Sequence, residues 1–324
     1  MAEIGRDLEK AASLLRRGEV IGIPTETVYG LAGNALLDES ILKIFEVKQR
    51  PQFNPLILHT WSVEQIQAFV SILPKQVHDL AQQHWPGPLT ILLPKSSIVP
   101  DLLTAGNERV AIRIPNHPLT LSLLKKLDFP LAAPSANPFG YISPTTADHV
   151  ADQLGPIIPY ILDGGSTTVG IESTIIGWEA EGGFKLYRHG GLEPKEIERI
   201  TGPLSRIPSS AKPQSSGMLK SHYAPTAALF VGEIEELWST YASPRTAVLS
   251  FQKSYSFVSD KQQFILSEKG DIREAARNLF AYLRRLDNGD FDTIIADYVP
   301  DEGIGQAIND RLERAQHEHK PDHS

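Results

Sequence analysis

The chain of 324 residues contains no cysteine. That absence excludes disulfides, thiolate zinc sites and a cysteine nucleophile. Long apolar runs are missing too. No window approaches the roughly 20 apolar residues of a membrane span, and the opening segment MAEIGRDLEKAASLLRRG mixes acids with bases around no apolar signal core. A cytoplasmic protein with no membrane partner is expected. Basic charge is scarce as well, the net charge being −8. Residues 1–206 hold 18 Lys and Arg against 22 Asp and Glu, and residues 207–324 hold 13 against 17, a net of −4 in each part. Neither part is a nucleic-acid module by bulk charge. Several nucleotide and hydrolase motifs are also lacking. The nearest approach to a phosphate-cradling loop, Gly165 to Gly170, is followed by Ile-Glu and has no lysine. No GxGxxG opens a helix after a strand, and there is no GxSxG or HExxH.

What is present is an α/β pattern. Ile4, Leu8, Ala11 and Leu15 recur at helical spacing before Gly18, which predicts a first helix. Val20 to Ile23 reads as a buried strand running into the polar turn Pro24 to Thr27. Asp38 is placed as the cap of a helix bearing Ile41, Ile44 and Phe45, and Leu56 to Leu58 follows as a strand. Ser62 and Gln65 form a capping box. Further strands are expected at 89–93, 109–114, 130–133, 159–162, 172–178 and 184–188, with helices at 117–127 and 144–154. Residues 202–225 are rich in Ser, Pro and Gly without apolar period and read as a linker. Beyond them the pattern alternates: strands at Ala227–Val231, Thr246–Phe251, Phe264–Leu266 and Thr293–Ala296, helices at 233–241, 271–286 and 304–316. That alternation predicts a small parallel, Rossmann-like layer. The tail HEHKPDHS, with His317, His319 and His323, reads as a solvated terminus. The expected domains are therefore 1–203, a linker at 204–226, and 227–324.

Polar and cationic residues gather at the ends of the apolar strands, where α/β sheets bind ligands. Lys48, Arg50 and Asn54 lie in KQRPQFNP; Ser135 and Asn137 lie in APSANP; Ser143 sits at an expected helix start; Ser173 and Thr174 enter a strand. Each has a plainer reading. Lys48 and Arg50 fit helix-end cations, Thr25, Thr27, Ser135, Asn137 and Ser143 fit turn and cap residues, and His59 fits a satisfied structural histidine. Arg113 is harder to dismiss. It is flanked by Ala111, Ile112 and Ile114, and a charge in such a strand needs a partner. The residues alone predict an α/β protein with an anion-binding site.

Six segments in order carry more: IPTETVYGLAGNA, IFEVKQRPQFNPLILH, WPGPLTILL, VAIRIPNHP, PLAAPSANPFGYISPT and ILDGG with GIESTI. Together they resemble the threonylcarbamoyl-adenylate synthase family. SSGMLKSHYAP, LFAYLRRLDNGDFDTIIAD and GIGQAINDRLERA resemble the linker and small C-terminal domain of its longer members. The resemblance implies a YrdC-like twisted mixed sheet with helices, followed by a Rossmann-like α/β domain. It implies a nucleotidyltransferase that makes threonylcarbamoyl-adenylate from ATP, L-threonine and bicarbonate, releases pyrophosphate, and serves transfer RNA modification. Thr27, His59, Arg113 and Ser173 would bind threonine. Lys48, Arg50, Asn54, Ser135, Asn137, Ser143, Arg188 and, from the linker, Tyr223 would bind ATP. Mg2+ would arrive with ATP, and no protein metal site or general base is implied. The product would pass to a threonylcarbamoyl transferase complex and transfer RNA. Two other readings share the fold: an RNA-binding module without turnover, and a carbamoyl-transfer domain of the hydrogenase-maturation type. The charge balance and the lack of an RNP-type aromatic motif weigh against the first, and the lack of cysteine against the second.

Overall fold

The computed structural model describes residues 1–206 and 223–316. Most of the expected linker and the histidine tail lie outside the described residues. The chain divides into two compact units. The first comprises Met1–Phe139 and Ser143–Leu219, the second Gly140–Ile142 and Lys220–Ser324. The short excursion at Gly140–Ile142 is a feature no sequence pattern announced.

In the first unit β1 (Glu3–Gly5), α1 (Leu8–Arg16), β2 (Ile21–Ile23), β3 (Gly30–Asn34) and α2 (Asp38–Lys48) come first. Next are β4 (Ile57–His59), α3 (Val63–Phe69), α4 (Lys75–His84), β5 (Leu89–Pro94), α5 (Asp101–Thr104), β6 (Arg109–Arg113) and α6 (Pro118–Lys125). Then follow β7 (Leu131–Ala132), α7 (Ala147–Leu154), β8 (Tyr160–Leu162), β9 (Thr174–Glu179), β10 (Gly183–Arg188), α8 (Pro194–Thr201) and β11 (Ser205–Arg206). Among the described residues, these strands form one mixed sheet in the order β1-β8-β2-β3-β7-β4-β6-β5-β9-β10-β11. Its sheet thus reaches past the expected boundary at 203.

Several local expectations shift. Ile4 pairs with Ile161 on the edge strand β1 and is half exposed, and α1 starts only after Asp7, whose carboxylate accepts the backbone N–H groups of Glu9 and Lys10. The helical spacing from Leu8 onward is real, but Ile4 joined it by coincidence of period. Asp38 is inside α2 rather than capping it; Leu37 is the cap residue and makes no side-chain cap bond. Ser62 does accept Gln65 N–H, but Gln65 Oε1 accepts from Trp61 N, so the box closes one residue early. Ser143 is not a helix cap, since Thr146 caps α7.

In the second unit β12 (Ala228–Val231), α9 (Ile234–Tyr241), β13 (Thr246–Ser250), β14 (Gln263–Ile265), α10 (Ile272–Leu286), β15 (Thr293–Ala296) and α11 (Ile304–Ala315) alternate as expected. All pairings are parallel, in the order β12-β15-β13-β14. Such a sheet is covered on both faces, and its strands read as continuous apolar runs. Ala247, Val248, Leu249, Ile294, Ile295 and Ala296 are accordingly all buried. Ile234 of α9 packs with Val248 and Ile295 on one face.

Candidate functional site

The first unit's sheet places its polar residues by strand order. β4, β6, β5, β9 and β10 are neighbours. β4 runs parallel to β6, β5 antiparallel to β6, β9 parallel to β5, and β10 antiparallel to β9. The C-terminal residues of β4, β6 and β10 therefore share one sheet end with the residues that lead into β5 and β9. His59, Arg113 and Arg188 come to that end from the first three strands, and Gly87 and Ser173 from the other two.

Arg113 is the centre of the first group. Its side chain is 5% exposed, and Nη2 lies 2.8 Å from Oε1 of Glu26, itself 6% exposed. Nε donates to Gly87 O at 3.2 Å. The approach of Nη2 to Glu26 is close but poorly aligned, so neither atom makes a hydrogen bond. Glu26 is held by Asn116 N, which donates to Oε2, while Glu26 O accepts from Thr168 N and Val169 N. A buried guanidinium with hydrogen-bonding capacity to spare is costly unless something else uses it.

The turn that carries Glu26 is fixed by hydroxyls. Thr25 Oγ1 donates to Val28 O at 2.7 Å and lies 2.8 Å from Thr27 Oγ1. Its one proton is spent on Val28, so Thr27 must donate to Thr25. The buried Thr27 oxygen then has only lone pairs left, which suit an ammonium or hydroxyl donor. His59 faces Arg113 across the β4–β6 ladder. Burial, then the charge of Arg113, pulls its imidazole down to about 3, and Nδ1 lies 3.1 Å from Ile57 O. His59 is thus a neutral wall beside the arginine. Because the folded-state value is depressed, the unfolded chain takes up this proton first. The associated stability is present above pH 6.5 and is lost as pH falls toward 3, at up to about 1.4 kcal/mol per pH unit. His59→Gln should flatten the fall of the urea midpoint between pH 6.5 and 4. An unchanged slope would remove His59 as its source.

A second group joins three strands. Ser173 Oγ lies 2.7 Å from Thr90 Oγ1, and Arg188 donates to both Ser173 O and Ser173 Oγ at 3.1 Å. Arg188 therefore braces Ser173, an expected threonine contact, although the resemblance had set it with the nucleotide. Ser143 Oγ donates to Glu172 Oε1 at 2.6 Å, so its proton is committed to a carboxylate. Gly190 packs directly on the backbone of Glu172, Ser173 and Thr174, with no room for a Cβ.

The third group gathers residues from distant segments. Lys48 Nζ donates to Ser135 O and Asn137 O at 2.5 Å each, and Phe139 N donates back to Lys48 O. Burial, then the Arg50 charge, pulls the Lys48 ammonium well below the usual lysine range. Arg50 donates to Asn54 O and Pro55 O and lies over the Phe139 ring. Asn54 is 1% exposed, yet neither its Nδ2 nor its Oδ1 has a hydrogen-bond partner. A buried amide left so calls for an explanation, such as a water or ligand that pairs with it. Ser135 enters through its backbone carbonyl, and Asn137 through its carbonyl and through Nδ2, which donates to Pro138 O.

Tyr223 is the expected residue that falls outside the first unit. In the second unit its ring, 1% exposed, packs on Phe280 at 5.5 Å and under Arg311 at 5.4 Å. Sequence reasoning missed Glu26, Thr90 and Glu172. The signal for Glu26 existed, because a buried arginine demands a carboxylate, but nothing local in the sequence said which one. Among the described residues no three His, Asp or Glu side chains converge as a metal would require, and no helix is long and apolar enough to cross a membrane.

With this geometry in hand, residues 13–190 match the family model described as telomere recombination, and residues 192–316 match the model of the threonylcarbamoyl-AMP synthase C-terminal domain. The threonylcarbamoyl-AMP synthase of Pyrococcus abyssi is 40% identical over 320 residues, covering 94% of this chain and 92% of that protein. That of Bacillus subtilis is 39% identical, covering 95% and 92%. The crystal structure of P. abyssi Sua5 complexed with L-threonine matches with a TM-score of 0.90 at 38% identity, covering 97% of each chain.

Proposed function

This chain belongs to the threonylcarbamoyl-AMP synthase family and makes threonylcarbamoyl-AMP, the first step of N6-threonylcarbamoyladenosine synthesis; we propose that it does so in the first unit, from L-threonine, bicarbonate and ATP, at the sheet end around Arg113. The observation that carries this assignment is the Glu26–Arg113 pair, which is buried and close but without an aligned hydrogen bond. A substrate carboxylate would give Nη2 the charged hydrogen bond it lacks. The Thr27 oxygen, restricted to accepting, would take the substrate's ammonium or hydroxyl hydrogen. Ser173, braced by Arg188, would bind a second polar atom of the same substrate, and neutral His59 would close the pocket without adding charge.

The chemistry then needs positioning and charge neutralisation rather than a covalent nucleophile. Bicarbonate gives carbon dioxide as its hydroxyl leaves as water with one proton taken from the threonine ammonium. The amine nitrogen so formed bonds to the carbon of carbon dioxide and loses a second proton to solvent. An oxygen of the new carboxylate bonds to the α-phosphorus of ATP, the bond from that phosphorus to the bridging oxygen breaks, and pyrophosphate leaves. Lys48 has two donors on backbone carbonyls and one for the phosphates, whose charge would reverse the effect of burial on its protonation. The free amide of Asn54 would meet the nucleotide. Among the described residues no His, Asp and Glu cluster forms a cage for Mg2+, so that ion would be held by the phosphates of ATP and water. The product would be handed to a threonylcarbamoyl transferase and transfer RNA in the cytoplasm.

The test is direct. Purified protein given ATP, Mg2+, threonine and bicarbonate should yield threonylcarbamoyl-AMP and pyrophosphate by mass spectrometry, with neither formed when threonine is omitted. Product formation that ignores threonine would reject the reading. Asn54→Ala should raise the KM for ATP by roughly tenfold, the worth of about one hydrogen bond left unmade, with the KM for threonine unchanged. An unaltered ATP KM would take Asn54 out of the nucleotide site.

A further inference from the structure

The second unit holds a cavity of about 640 Å³ that the reaction above does not use. Its place follows from topology. β12, β13 and β15 are parallel, so their carboxyl ends lie together. The cavity is lined by the residues that directly follow each of them, among them Glu233 after β12, Lys253 and Tyr255 after β13, and Asp297 and Tyr298 after β15. β15 is last of the four in sequence but lies between β12 and β13. α9, which leaves β12, covers the face bearing Val248 and Ile295. α10 and α11 pack on one another, and since both faces of the sheet are buried, that pair covers the opposite one. The chain therefore leaves the adjacent strands β12 and β15 toward opposite faces. That reversal opens a crevice at the carboxyl edge, the place where open α/β sheets bind ligands.

Side chains make the crevice more than a gap. Tyr255 is only 8% exposed, its ring packed with Ile234 and Val248, and it lines the cavity. Asp297 accepts Phe251 N at 2.7 Å, which ties the ends of β13 and β15 and keeps further lone pairs for a ligand. Burial pushes its carboxyl up to about 6, so it is still mostly ionised at neutral pH. Tyr298 is 45% exposed and presents a large ring at the rim. Two carboxylates, Glu233 and Asp297, stand against one ammonium, Lys253, which disfavours a polyanion. The volume fits a small-molecule site and exceeds what a single amino acid fills.

We propose that this cavity is a second ligand site, separate in sequence and fold from the catalytic one, that takes a ribonucleoside with its ribose diol on the Asp297 carboxylate, its base against Tyr298 and the edge of that base toward the Tyr255 hydroxyl. A carboxylate at a strand's carboxyl end is suited to a vicinal diol because one acceptor-only group takes two hydroxyl hydrogens. Tyr298, exposed at the rim, supplies a face for a neutral base, and Tyr255, whose ring is packed with Ile234 and Val248, supplies a phenol hydroxyl to an edge nitrogen or oxygen of that base.

Calorimetry on the full chain saturated with ATP, which fills the first unit's nucleotide site, tests this with the four common ribonucleosides and their 2′-deoxy forms. At least one ribonucleoside should bind one equivalent, with its 2′-deoxy form weaker by roughly tenfold or more, the loss of a charged hydrogen bond. Asp297→Asn and Tyr255→Phe should each weaken binding while threonylcarbamoyl-AMP synthesis keeps its rate. Absence of binding at millimolar ribonucleoside, equal binding of the deoxy forms, or affinities untouched by both substitutions would overturn the assignment. Because synthesis is read separately, such a failure would leave the first unit's reaction standing.

Discussion

Arg113→Ala is expected to cut threonine-dependent product formation by about 10- to 150-fold, the equivalent of the roughly 1.5–3 kcal/mol that a charged hydrogen bond contributes. The loss should appear as a raised KM for threonine. It should come with a second, separable effect. Glu26 is 6% exposed and faces Arg113, so removing the guanidinium leaves a buried carboxylate without its counter-charge, a destabilisation of about 3–5 kcal/mol. Adding Glu26→Gln to Arg113→Ala removes that orphaned charge and should recover much of the stability by urea unfolding. It should recover none of the threonine affinity. A double variant that regains both would show that Arg113 serves only the ion pair. A single variant with normal threonine KM would move the carboxylate contact elsewhere. Arg113→Lys is a further control: it keeps a charge but loses the planar fork, so stability should suffer less than threonine binding.

Gly190→Ala should be nearly as damaging, for a different reason. The backbone at Gly190 does not require a left-handed conformation, since it is absent from the positive-φ glycines. What it requires is space. An added Cβ would overlap the Ser173 carbonyl carbon, the Glu172 oxygen and the Thr174 nitrogen. These are backbone atoms at the entry of β9, and they cannot swing aside as a side-chain end would. Overpacking of this kind costs about 3 kcal/mol. Because the displaced backbone carries Ser173, whose Oγ and carbonyl are held by Arg188, activity should fall together with stability. Gly165→Ala is the informative contrast. Gly165 has φ +77 and nothing near its missing Cβ, so the strain there is conformational, about 1–2 kcal/mol, and activity should hold. Thermal melts and threonine kinetics on both variants separate the two. Equal behaviour would mean that the approach of Gly190 to β9 does not position the site.

Much of the second unit was legible because its elements answer to local rules. β15 matches the expected Thr293–Ala296, and α10 and α11 fall within a residue of their expected ends. Amphipathic spacing, an Asp cap at Asp271 and continuous apolar strands are all written within a few neighbouring residues. In the first unit the main strands were legible for the same reason. The failures occurred where local patterns were shared by two structures. Ile4 fits a helix by period but is an edge strand by pairing with Ile161. Short elements such as α5 and β11 carried too few residues to show any period.

The sequence by itself determined that Arg113 needs a partner, that the polar residues would gather at strand ends, and that six ordered motifs belong to one family. Tertiary structure alone decided that the partner is Glu26, that Arg188 serves Ser173, that Ser143 gives its proton to Glu172, and that Lys48 closes on the carbonyls of Ser135 and Asn137. The cavity behind Tyr255 and Asp297 was likewise decided by strand order. The physical reason is the same in each case. Burial and periodicity are properties of a segment, whereas the partner of a buried charge is chosen by which strands the folded sheet makes neighbours.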